Sequence, residues 1–128
     1  MMRARVQFDP HKVMRASRRS NITTLGHAGA AIRLQARHAI RKGKKPSAPG
    51  KPPHTRKGRL RNAIKYALAA DKQSVVIGPD VAVAGTSGMA HEFGGRYKRE
   101  RYPKRAFMGP ALEKAKDRLP AMWAGSVR

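Results

Sequence analysis

NITTLGHAGAAIRLQARHAIRKG, residues 21–43 in one-letter code, decides the fold. Within it Ile22, Leu25, Gly29, Ile32, Ala36 and Ile40 recur at helical spacing, which puts them on one apolar stripe. Arg33, Arg37 and Arg41 recur at steps of four and form a separate basic row on the same helix. Asn21 has the side chain of an N-cap, and Gly43 has the backbone freedom of a C-terminal stop.

Toward the N-terminus, Asp9-Pro10 reads as an N-cap followed by proline at the first helical position. This predicts a short, separate helix to about Arg18, with Val13 and Met14 turned inward. Before it, Arg3, Arg5 and Gln7 alternate with Ala4, Val6 and Phe8, the period of an edge strand.

Toward the C-terminus the composition changes abruptly. Residues 42–58 hold four prolines, three glycines and six basic residues, which predicts an extended, flexible basic loop. Leu60, Asn62, Ile64, Tyr66 and Leu68 then alternate with Arg61, Ala63, Lys65 and Ala67. With a turn at Asp71-Lys72-Gln73 and a second run from Ser74 to Gly78, this reads as a β-hairpin. Val81 and Val83 can extend a strand, and Met89 to Phe93 reads as a helical turn capped by Gly94. Residues 96–105 form a second basic loop, with Tyr97 and Tyr102 interleaved among six cations. A last helix opens at Gly109-Pro110 and turns Leu112, Ala115, Leu119 and Met122 to one side, and Pro120 ends or kinks it. Leu60, Ile64, Phe93, Phe107 and Leu112 are the expected core, the last three because glycine or proline punctuation beside them holds the side chain in place.

The charge is one-sided. With 29 lysines and arginines against 7 acids the chain carries +22, and no acid interrupts the sixteen cations between Asp9 and Asp71. Such a segment cannot neutralise itself, so its counter-charge comes from phosphate, from acidic protein surfaces or from salt. At 128 residues the length suits one domain, residues 1–128, with a modest core. The absence of cysteine excludes disulfides and thiolate metal sites. The first residues, Met-Met-Arg-Ala-Arg-Val, have charge without an apolar signal region, and no run approaches eighteen apolar residues. The expectation is an unexported chain with no membrane partner.

Landmarks in a fixed order carry a resemblance. A basic helix leads into the proline-rich segment Ser47–Thr55 and then Arg56-Lys57-Gly58-Arg59-Leu60-Arg61-Asn62-Ala63-Ile64. After the hairpin come His91-Glu92-Phe93-Gly94 and Pro103-Lys104-Arg105-Ala106-Phe107-Met108-Gly109-Pro110-Ala111-Leu112. Over roughly residues 25 to 119 this resembles the tail-completion and neck (head–tail joining) proteins of long-tailed bacteriophages. The chain departs from them twice: Thr55 stands three residues before Gly58 rather than next to it, and Ala106 stands where the family has proline. The resemblance implies an α+β subunit, a small antiparallel sheet (a hairpin plus edge strands) packed by a long central helix and a C-terminal helix. It implies no catalysis and no cofactor. It further implies a virion protein at the head–tail junction, assembled in the host cytoplasm as a homo-oligomeric, sixfold ring around double-stranded DNA, in contact with other neck and tail proteins.

Enzymatic readings find little to stand on. His91-Glu92 lacks a second histidine four residues on, as a zinc-protease helix requires, and is better read as fixing a turn or an intersubunit contact. Glu113 and Asp117 lie among Lys114, Lys116 and Arg118 and read as a solvated face. No Walker-type or dinucleotide glycine pattern occurs. Candidate contacts with partner or DNA are Arg33, Arg37, Arg41, Lys44, Lys45, Lys51, Arg56, Lys57, Arg59, Arg61, Arg96, Arg99, Arg101 and Arg105. Composition alone also fits a sequence-independent nucleic-acid-binding protein of ribosomal or nucleoid type.

Overall fold

The computed structural model describes residues 9–97 and 100–126. The expected strand at residues 3–8 and the candidate contact Arg99 lie outside them. The fold is α+β, a long N-terminal helix and a short C-terminal one around small two-stranded sheets.

Helix α1 runs unbroken from Pro10 to Ala39, about 45 Å at 1.5 Å per residue. Asp9 caps it, its Oδ1 accepting from the N–H groups of His11 (3.0 Å) and Lys12 (3.2 Å). The expected break between two helices does not occur. Ser20 and Asn21 are capping residues by type, but nothing there prevents helical backbone, and the Asn21 side chain accepts a hydrogen bond from Trp123 Nε1 at 3.0 Å. Leu25, Ala28, Gly29, Ile32, Ala36 and the C-cap Ile40 are buried. Val13 and Met14 are exposed rather than inward, because the buried stripe of α1 begins only at Thr24.

After short β1 (Arg41–Lys42) and β2 (His54–Thr55), helix α2 spans Arg59–Ala63, where alternation alone suggested strand. Thr55 Oγ1 accepts from Gly58 N–H, and Gly58 at φ 80° starts the helical turn. The strand begins only at Ile64: β3 (Ile64–Leu68) pairs antiparallel with β4 (Val75–Pro79), Tyr66 opposite Ile77. This hairpin lies across α1 at Gly29, where a Cβ would come within 2.8 Å of both Tyr66 Cδ2 and Val75 Cγ2. No larger residue permits that approach. Two arginines of α1 fasten the crossing: the Arg33 guanidinium sits 5.3 Å from the Tyr66 ring centroid, and Arg37 Nη2 donates to the carbonyls of Asn62 (3.2 Å) and Ile64 (3.0 Å).

Val81 and Val83 do not extend a strand. They belong to a single helical turn, α3 (Val81–Ala84), because the Asp80 side chain accepts from Ala82 N–H and caps it. The hydrogen bond from Lys65 Nζ to Asp80, aided by that cap, holds the Asp80 carboxyl below its ordinary pKa. Helix α4 (Ser87–Phe93) ends at Gly94 as expected. Gly94 takes φ 72°, and a Cβ there would press on the backbone N–H of Lys104 at 3.2 Å. The region expected as a second loop is instead a ribbon, β5 (Gly95–Tyr97) paired antiparallel with β6 (Glu100–Tyr102). Helix α5 (Met108–Ala115) runs through a 3-10 turn at Lys116–Arg118 into α6 (Leu119–Trp123), so Pro120 changes the helix at the place its ring requires.

The core is where α1, α2, β3 and α5 converge: Ala36, Ile40, Leu60, Ile64, Phe107 and Ala111. Leu60, Ile64 and Phe107 take their expected places, Phe107 at 0 % exposure. Phe93 and Leu112 do not, being 73 % and 49 % exposed. On α5 the small residues Ala111 and Ala115 face inward, which turns Leu112 outward, and Phe93 ends α4 on the side away from the core. Among the described residues no helix is long and apolar enough to cross a membrane.

Phe107→Ala is therefore expected to lower stability by about 3–5 kcal/mol, whereas Phe93→Ala leaves the thermal midpoint essentially unchanged. Thermal denaturation of both variants by circular dichroism checks the contrast, and equal midpoint losses would contradict this assignment of core and surface.

Candidate functional site

Two observations describe the charged surface of this chain. One is the way its acids are used. Asp9 caps α1, Asp71 accepts from Gln73 N–H, Asp80 caps α3 and pairs with Lys65 at 2.9 Å, and Glu113 pairs with Lys116. Glu92 has the most demanding role. Its two carboxylate oxygens accept from three successive backbone N–H groups, Phe107 (2.8 Å), Met108 (2.9 Å) and Gly109 (2.8 Å), at the start of α5. The next residue, Pro110, has no N–H, and Ala111 N–H reaches Phe107 O, so the helix end is satisfied from one carboxylate. His91-Glu92 thus fixes a chain turn, and among the described residues no group of three His, Asp or Glu is arranged to hold a metal ion.

With these five acids committed locally, most of the candidate cations face outward. Arg41, Lys44, Lys45, Lys51, Arg56, Lys57, Arg59, Arg96 and Arg101 are exposed. Arg96 and Arg101 stand directly opposite each other across the β5–β6 ribbon. Like charges in that register repel. Arg33, Arg37, Arg61 and Arg105 are only partly exposed. Three of these have internal work: Arg33 on Tyr66, Arg37 on two carbonyls, and Arg105, whose Nε donates to Ser47 O at 3.0 Å. The row expected on α1 therefore does not act as a free basic face, and Arg41 leaves the helix to pair with His54 in β1–β2.

The second observation is that the two basic segments meet. The 42–58 loop, expected as flexible and extended, is tied down along its length. Arg41–Lys42 pairs in parallel with His54–Thr55, His54 Nδ1 donates to Lys45 O (3.0 Å), Gly50 N–H donates to Lys104 O (2.9 Å), and Pro53 is fully buried. From the other side Arg105 N–H donates to His91 O at 2.6 Å, and the His91 ring lies edge-on to Tyr102 at 5.7 Å. Burial lowers the His91 pKa from its ordinary value, and the neighbouring Arg105 cation lowers it further. Between the two segments lies a cleft of about 220 Å³.

Several large apolar side chains are left uncovered. Met89 (62 % exposed) and Phe93 lie on α4, and Leu112 lies one turn along α5 from the Glu92 contact. Reading the sequence placed Phe93 and Leu112 in the core and passed over Met89 as a contact. The spacing of Met89 and Phe93, four apart on a short helix, was the available signal. Nothing in the spacing of residues 44–56 and 91–105 signals that they share a cleft.

Comparison with protein-family models, with curated proteins and with solved structures gives no match.

Glu92→Ala is expected to cost about 2 kcal/mol by orphaning three N–H groups, with Glu92→Gln, which keeps one acceptor oxygen, intermediate. Chemical denaturation reads both, and an unchanged midpoint for Glu92→Ala would show that water replaces the carboxylate at no cost.

Proposed function

We propose that this chain is a structural subunit of a phage or prophage neck, which completes the tail or joins it to the head by forming a ring around the DNA channel. The observation that carries the reading is the exposure of the large apolar side chains Met89, Phe93 and Leu112, with Phe93 three residues before the exposed Arg96 in the chain. Aromatic residues, methionine and arginine are the types enriched where proteins meet, and binding to phosphate alone has no need of an exposed phenylalanine. The resemblance in landmark order supports the same reading, and two of those landmarks act together here: the Glu of His91-Glu92-Phe93-Gly94 holds the N–H groups of Phe107-Met108-Gly109.

In this reading identical subunits close a ring, sixfold as in the tails of the resembling phages, and each offers its apolar patch to a neighbour. The exposed cations face acidic surfaces of other neck and tail proteins, and a minority face the DNA. A strongly cationic lumen would retain DNA that must pass during ejection. The protein is then a virion component at the head–tail junction, assembled in the host cytoplasm.

A second reading, sequence-independent nucleic-acid binding, is favoured by the facing arginines Arg96 and Arg101, which neutralised phosphates would relieve with release of counterions. Phe93→Glu separates the two. The expected result is an unchanged melting temperature, loss of rings in electron micrographs and failure of purified heads and tails to join. Reversing both Arg96 and Arg101 to Glu is expected to impair joining as well, with duplex-DNA titrations at two salt concentrations run alongside. Normal joining together with abolished DNA binding would replace the first reading by the second.

A further inference from the structure

The cleft between the two basic segments is more than a place where cations gather. Its walls include Lys44, Lys45, Arg56 and Arg105, and among the described residues no acidic one lines it. Ser47 also lines it, and at 7 % exposure its hydroxyl has no hydrogen-bond partner. His91 lines it too, and its Nδ1 is likewise buried without a partner. A buried polar atom left unpaired is costly, and here two of them share one small cavity with four cations. Arg105 is held in place by its Nε bond to Ser47 O.

We infer that this cleft is a binding site for a phosphate group, held by Lys44, Lys45, Arg56 and Arg105 with the Ser47 hydroxyl and the His91 ring completing its hydrogen bonds. The number of converging donors selects the ligand. A carboxylate offers two oxygens, whereas a phosphate monoester or free phosphate offers at least three strong acceptors and about two negative charges. Four cations around a cavity of this size match the second and over-supply the first. The cleft joins two segments that are far apart in the chain, so occupation would also pin the 42–58 loop to the β5–β6 ribbon. The site stands independently of ring formation.

Isothermal titration of the full-length chain with inorganic phosphate, at ionic strength held constant with chloride, tests this. Saturable one-site binding is expected. Lys45→Gln combined with Arg56→Gln, both exposed side chains, should weaken it about tenfold or more. Ser47→Ala should weaken it without changing the circular dichroism spectrum. Arg18→Gln combined with Arg19→Gln, an equal charge loss on the first half of α1, should leave it unchanged. A 5′-phosphorylated oligonucleotide compared with the same strand lacking that phosphate identifies the source. Tighter binding of the phosphorylated strand assigns a nucleic-acid end, and equal binding assigns free phosphate. Absence of saturable phosphate binding by the unaltered chain, or an equal loss in the Arg18 and Arg19 control, overturns the site.

Discussion

One carboxylate fixes where the last long helical segment of this protein begins. Glu92 closes the end of α4 onto the start of α5 through three backbone N–H groups, and that contact sets Phe107 at the depth where it fills the core. The chemistry is that of any helix N-terminus, whose unpaired donors and positive dipole end attract an anion. What is particular is that the anion comes from fifteen residues upstream. Between the two ends of the contact the chain has only to make a short ribbon, and Gly94 at positive φ allows it to double back against Lys104.

Using acids this way has a consequence for the surface. In a chain of +22 each carboxylate that caps a helix or a turn is removed from the work of screening its neighbours. Asp9, Asp80 and Glu92 secure α1, α3 and α5, and no acid lies in the sequence among the cations of residues 41–59. On the β5–β6 ribbon Arg96 and Arg101 stand opposite each other. Fold and surface are therefore linked through charge: the more completely the acids serve the fold, the less they offset the positive charge of the surface.

The same division sorts the arginines. Arg33 and Arg37 belong to the fold, because they lie on the part of α1 crossed by the hairpin and find a tyrosine face and two carbonyls there. Arg41, one step further along the same row, passes out of the helix and faces solvent. A guanidinium that can donate in a planar fork or lie over a ring serves either purpose, so its role depends on what lies opposite.

Reading the residues in order determined the helical stripe of α1, the β3–β4 hairpin, the cap at Gly94 and the change of helix at Pro120, because each follows from a local period or from backbone freedom at one position. It also determined the sign and surplus of charge. It did not determine that α1 is one helix, since Ser20 and Asn21 cap helices as readily as they sit inside them, and only the indole of Trp123 on the far side decides the matter for Asn21. Nor did it separate Phe107 from Phe93: both stand beside glycine or proline punctuation, and burial depends on which face of a short helix meets α1. The cleft lined by Ser47 and His91 belongs wholly to the tertiary structure, because it exists only where two segments some fifty residues apart come to lie side by side.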